Sequence, residues 1–173
     1  MLELLDLIDF DEVYSLMEQS FPKEEFRPRE EQRELFSDPA YRIYVRREEK
    51  ETAGFLAVWD LQDVLYIEHF AVAGRLRGGG IGASMLCDLR ALLDKPICLE
   101  VEPPENDMAR RRICFYERNG FFLNPYPYMQ PPISKGRASI SLLIMTSGGQ
   151  ISEEGFKQLK HLLYSRVYKY TDV

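Results

Sequence analysis

The sequence predicts an α/β fold. Its mixed sheet begins as an antiparallel meander, passes through a strand–helix–strand crossover into a parallel pair, and is flanked by helices. Three observations carry this. Apolar runs at residues 41–46, 53–59 and 64–72 are separated only by short polar breaks, which permit hairpins but no crossover. The period then changes: Ile81, Met85, Leu89 and Leu92 recur at helical spacing up to the stop Asp94-Lys95-Pro96, and an apolar run follows at 97–102. A strand, a helix and a strand in that order make a right-handed crossover between parallel neighbours.

The remaining elements follow from the same signals. Phe10, Val13, Leu16 and Met17 mark a helix over 9–19, ahead of the breaker Phe21-Pro22, and a charged helix runs from Pro28 to before Asp38-Pro39. Beyond Pro103-Pro104, Ala109, Ile113 and Tyr116 line one helical face, closed by Asn119-Gly120 with glycine available for a left-handed cap. Residues 121–123 and 140–146 are the last strands, joined by the proline- and tyrosine-rich loop at 124–132. A final helix over 152–168 carries Phe156, Leu159, Leu163 and Val167. No repeat or long linker interrupts the chain, so 1–173 is expected to be one domain, with 147–173 as a helical extension.

Composition narrows the function classes. Residues number 173, of which 45% are hydrophobic and 29% charged, as in ordinary globular proteins, and folding would bury about 70% of the surface. The net charge of −6 argues against nucleic acid as a partner, because backbone phosphates demand a basic footprint. Cys87, Cys98 and Cys114 are an odd set without CxxC spacing and read as reduced core residues. With His69 and His161 the only histidines, no structural metal is expected. The acidic start MLELLDLIDF is no signal peptide and no run approaches membrane length, so no membrane partner and a cytoplasmic location are expected.

The most informative segment is RLRGGGIGA at 75–83, set between a strand and a helix. Unpartnered N–H groups at a helix start, the helix dipole and missing Cβ atoms together make an anion cradle. Gly78, Gly80 and Ala83 satisfy G-x-G-x-x-A, and Glu100 or Glu102 follows at the distance of the ribose-binding acid, so an NAD-type dinucleotide-binding oxidoreductase is one reading. Against it, Ala73 and the residues to Arg77 intervene before the glycines, and no further strand–helix repeats follow Gly120. No Lys-Ser or Lys-Thr completes a Walker loop.

Residues 67–121 resemble the GNAT superfamily of acyl-CoA-dependent N-acyltransferases. The resemblance rests on Phe70-Ala71-Val72 ending a strand and on Arg77-Gly78-Gly79-Gly80-Ile81-Gly82 matching R/Q-x-x-G-x-G/A. Leu99-Glu100-Val101 and the run FYERNGF at 115–121 match the next two elements. The family's Asn-x-x-Ala stands nearly one turn closer to its tyrosine than Asn106 stands to Tyr116, and the helix from Ser152 lies outside the common core, where packing or a homodimer surface is its expected use.

The resemblance implies acetyl-CoA as acyl donor, lying in a gap between the meander's last strand and the parallel strand after it. Phe70, Ala71 and Val72 would meet the pantetheine arm, Arg77, Gly78, Gly79, Gly80, Ile81, Gly82 and Ala83 the pyrophosphate, and Asn106 is carried over as a cofactor contact. A primary amine of a small molecule, peptide or protein would attack the thioester directly. Such an amine is mostly ammonium at neutral pH, with a pKa near about 10.4, so a carboxylate must take its proton. By family position Glu100 is the first candidate base and Glu68, on the facing strand, the second, while Tyr116 fits the acid that protonates the departing thiolate. His69 is expected on the opposite face from Glu68 as a satisfied core histidine. Tyr126, Tyr128 and Gln130 sit on a loop that often borders the acceptor site in this fold. A CoA-binding sensor without catalysis is the remaining alternative.

Overall fold

The sheet opens where no periodicity announces a strand: β1 (Glu3–Leu4) pairs antiparallel with β2 (Tyr41–Glu48), Glu3 opposite Val45. The structure is a computed structural model describing residues 1–170, which form two compact units. The first comprises residues 1–60 and 67–95. In it, β2 reverses through Glu49 (φ 52°) and Lys50 (φ 73°) into β3 (Glu51–Asp60). Two left-handed residues give this turn the twist of the strands it joins. The register sets Tyr41 against Trp59 and slips between Arg46 and Arg47.

Helix α1 (Phe10–Ser20) buries Phe10, Val13, Tyr14, Leu16 and Met17, the face the sequence pattern marks, and stops where Phe21 turns extended before Pro22. The charged α2 (Arg29–Glu34) buries only Gln32 before a short 3-10 turn at Leu35–Ser37. Strand β4 (Leu65–Val72) contributes its residues from Ile67 onward to this unit, and α3 (Ile81–Leu92) packs through Met85, Leu86 and Leu89. A Cβ on Gly54 would stand 2.8 Å from Ala71 O and 2.9 Å from Met85 Sδ. Glycine is therefore what lets β3 sit this close to β4 and α3.

The second unit comprises residues 61–66 with those from Pro96 onward. Leu65, at the start of β4, donates its N–H to Pro96 O at 2.8 Å, where β4 runs beside β5 (Ile97–Val101). That is a parallel pair in a sheet of mostly antiparallel strands. Helix α4 (Asp107–Arg118) follows and ends at Asn119 and Gly120, the latter at φ 77° as a left-handed stop. Strand β6 (Phe121–Leu123) and an unforeseen β7 (Tyr128–Gln130) both pair with β8 (Ile140–Ser147), which pairs with β5 on its other edge. Helix α5 (Glu153–Arg166) is capped by Ser152, whose Oγ accepts from Gly155 N–H at 3.1 Å.

Two expectations need correction. Only Cys98 is buried, whereas Cys87 and Cys114 are exposed, although all three thiols are free. Each exposed cysteine sits next to an apolar residue in sequence but about a third of a turn or more from the buried face of its helix, which adjacency does not show. Leu92, grouped above with the buried face of its helix, is 54% exposed in the last turn of α3.

Candidate active site

The glycine segment builds the opening of α3. After β4 the chain makes a short 3-10 turn, Gly74–Leu76, and Arg77 folds back to donate its Nε–H to Val72 O at 3.0 Å. Gly78 (φ 83°) and Gly80 (φ 81°) are left-handed, and Gly80 is the N-cap of the helix. The first helical bond runs from Ser84 N–H to Gly80 O, 3.0 Å. The N–H groups of Ile81, Gly82 and Ala83 therefore have no partner within the helix and sit at its positive end. A Cβ at 78 or 80 would meet no heavy atom within 4 Å, and residues 77–80 are exposed. The segment offers donors, a dipole and room, which suits an anionic pyrophosphate. Just before it on β4, Phe70 and Val72 are half-buried and Ala71 is buried.

Further back on β4, Glu68 is engaged in a buried ion pair. Arg27 Nη1 donates to Glu68 Oε1 at 2.9 Å, with the two side chains 6% and 1% exposed. Burial alone would raise the Glu68 pKa, but the Arg27 charge, with His69 behind it, outweighs that and brings it down to about 2. His69 is buried as expected, with Nε2 2.7 Å from Glu25 O and Phe21 packed against its ring. It does not point away from Glu68, however, because its Nδ1 lies 3.5 Å from Glu68 Oε2. Arg27, held at its own backbone by the Tyr14 hydroxyl, has no signal in the sequence that marks it as buried.

Glu100, on β5, sits in a ring of donors. The Tyr128 hydroxyl donates to Oε1, and Gln130 Nε2 donates to Oε2 at 3.1 Å. The Tyr168 hydroxyl lies 3.0 Å from Oε1 and 2.9 Å from Oε2. Behind it, Tyr66 and Gln130 approach the Tyr168 oxygen at 2.8 and 2.9 Å. The carboxylate fixes the Gln130 amide with nitrogen inward, since the reverse would set oxygen against oxygen. That leaves Gln130 Oε1 buried without a partner, at a cost of about 1–3 kcal/mol. Burial and then the Glu100 charge push the Tyr128 hydroxyl's pKa upward, so it stays a donor. Sequence reasoning places Tyr128 and Gln130 on the right loop but misses Tyr168. The signal was there in Tyr164 and Tyr168, spaced i, i+4 beside the buried Leu163 and Val167.

On α4, Tyr116 is buried with its ring edge-on to Phe115 and Phe121. Burial lifts its pKa to about 12, against a small opposing effect of Arg112, so the hydroxyl carries its proton at neutral pH. Asn106 is the N-cap of α4, its Oδ1 accepting from Ala109 N–H at 2.8 Å. Its oxygen is thus committed to the helix start.

The sequence model of the acetyltransferase (GNAT) family matches residues 10–121, well over half of the chain. The chain belongs to the GNAT acetyltransferase family. A GNAT-family protein of Bacteroides thetaiotaomicron superposes with a TM-score of 0.91 at 33% identity, covering 99% of each chain. A spermidine N-acetyltransferase from Vibrio cholerae gives 0.62 at 19% identity, over 85% of this chain and 94% of that one. The ribosomal-protein-S18-alanine N-acetyltransferase of Escherichia coli gives 0.61 at 18%, over 89% and 96%. The last two share the GNAT fold at identities that say nothing of substrate. No curated protein matches the chain. Among the described residues, no group of three or more His, Cys, Asp or Glu could hold a metal, and no helix is long and apolar enough to cross a membrane.

Proposed function

We propose that this GNAT protein moves an acetyl group from acetyl-CoA to a primary amine of a small molecule, peptide or protein, by direct attack while both are bound. The observation that carries the reading is the α3 opening, where two left-handed glycines with open space around them precede three helix-start N–H groups that have no partner within the helix. Arg77, Gly78, Gly79, Gly80, Ile81, Gly82 and Ala83 would hold the pyrophosphate, and the β4 residues Phe70, Ala71 and Val72 the pantetheine arm. The bound thioester supplies an activated acetyl carbon. Glu100 takes the proton from the attacking amine, and the Tyr116 hydroxyl gives one to the departing sulfur. The reading places the enzyme in the cytoplasm, where free thiols stay reduced.

Calorimetric titration with acetyl-CoA, followed by CoA release against an amine panel, tests this. Spermidine and an alanine-initiated peptide belong in the panel because the structural neighbours act on such amines. Gly80→Asp is the matched control: aspartate tolerates the left-handed backbone better than most residues and has room there, but brings negative charge to the phosphate position. It is expected to remain folded and to lose acetyl-CoA affinity by roughly 100-fold or more. Parent-like binding by the folded variant would put the phosphates elsewhere. Binding of acetyl-CoA with no CoA release on any amine would leave a sensor, not a transferase.

Tyr116→Phe removes one oxygen and keeps the ring against Phe115 and Phe121. Stability is expected to shift little, and turnover to fall roughly 10-fold to 10⁴-fold, depending on how well water replaces the acid. An acyl donor whose thiolate is already stable at neutral pH, such as an acetylated aromatic thiol, is expected to lose much less. Equal losses for both donors would remove Tyr116 from the role of acid.

A further inference from the structure

The hydrogen atoms around Glu100 can be counted. Gln130 Nε2 has two, one aimed at Glu100 Oε2 and one at the Tyr168 oxygen. Tyr128 has one, and Glu100 Oε1 accepts it. The Tyr168 hydrogen spans both carboxylate oxygens, leaving the two lone pairs of its own oxygen for Gln130 and Tyr66. These hydrogens point toward Glu100 or toward the hydroxyl that bonds it.

A carboxylate so surrounded is held in one orientation, but a base must also carry a proton after it has acted. A neutral Glu100 becomes a donor and needs a partner able to accept. Gln130 presents its nitrogen both to Glu100 and to Tyr168, and the Tyr128 hydroxyl, whose bond is to Glu100, would have to turn its hydrogen away from that bond in order to accept. Tyr168 differs, because its contact with Tyr66 at 2.8 Å works with either hydroxyl as donor. By rotating its hydrogen toward Tyr66, Tyr168 keeps the bond from Gln130 and accepts a new one from Glu100. Its two lone pairs are again filled, and Tyr66, now the acceptor, turns its own hydrogen away from Tyr168.

We propose that Tyr168 is a positioning residue for the base: it donates to the Glu100 carboxylate before the amine is deprotonated and accepts from the Glu100 acid afterwards. The proton moves from the amine nitrogen to a Glu100 oxygen, and Tyr168 only reorients its own hydrogen. Tyr128, Gln130 and Tyr168 all lie beyond residue 121, outside the segment matched by the family. The common core of this GNAT protein thus supplies Glu100, and the chain's own C-terminal third supplies its control. The inference rests on the functional reading above.

The test is Tyr168→Phe, alone and combined with Glu100→Gln, assayed with the best amine found in the panel. The single variant is expected to lower the melting temperature by only a few degrees and to keep the parent's KM for acetyl-CoA, while kcat falls roughly tenfold. In the Glu100→Gln background the same change is expected to alter kcat less than about twofold, because a residue acting through Glu100 has nothing left to act on. An equal loss in both backgrounds, an unchanged kcat, or a loss confined to KM or stability would overturn the proposal. A parent that acetylates no amine overturns the functional reading and this inference together, whereas an active parent with additive variants overturns only the inference.

Discussion

Glu100→Gln is expected to lower turnover by roughly 10²-fold or more at neutral pH, with acetyl-CoA affinity little changed. The variant keeps one oxygen and the side-chain length, so the ring of Tyr128, Gln130 and Tyr168 retains most of its contacts, with the Tyr168 hydroxyl turning to accept from the new amide. What it loses is the capacity to take a proton. Glu68→Gln is expected to do less to turnover in molecules that stay folded. A carboxylate with a pKa of about 2 that is bonded to a buried arginine is a poor proton acceptor at neutral pH. The pH–rate profiles of the two variants decide the ranking. If Glu68→Gln alone abolished the ascending limb, the roles of the two glutamates would have to be exchanged.

Arg27→Met is expected to destabilise the fold by about 3–5 kcal/mol at pH 7, because it strands a charged carboxylate 1% exposed to solvent. The pH dependence has a definite sign. In the parent, Glu68 titrates at about 2 when folded against an ordinary 4.5, so its stabilising contribution is complete above pH 4.5 and fades as pH falls from there through 2. Without Arg27 the desolvation of Glu68 remains and the compensating cation is gone, so its folded pKa rises. The variant's deficit should then be greatest at neutral pH and shrink on acidification, as the carboxyl protonates. Adding Glu68→Gln to Arg27→Met should recover much of the loss at pH 7. Urea melts at pH 7 and near pH 4.5 check both statements, and an equal deficit at the two pH values, with no rescue in the double variant, would show that Arg27 contributes packing alone.

Much of this protein is written locally. The meander is legible because two short polar breaks leave room only for hairpins, and β2 to β4 begin and end within a few residues of the expected places. The glycine-led opening of α3 is legible because it lies in one run of sequence: glycines that permit left-handed φ at 78 and 80, followed directly by a helix start. The strands β1 and β7 escaped because at two and three residues they have too few positions to show a period, and each exists only through its partner, β2 or β8.

The state of each candidate base was decided by tertiary structure. Glu68 and Glu100 look alike in sequence, as lone glutamates in apolar strands. The first is tied to Arg27, 41 residues earlier, and the second to Tyr168, 68 residues later. Periodicity reports which face of its own element a side chain takes, since that follows from backbone geometry a few residues long. It carries no information about which distant chain closes over that face. A carboxylate's protonation is set by the charges and donors within a few ångströms of it, and those arrive only when the chain has folded.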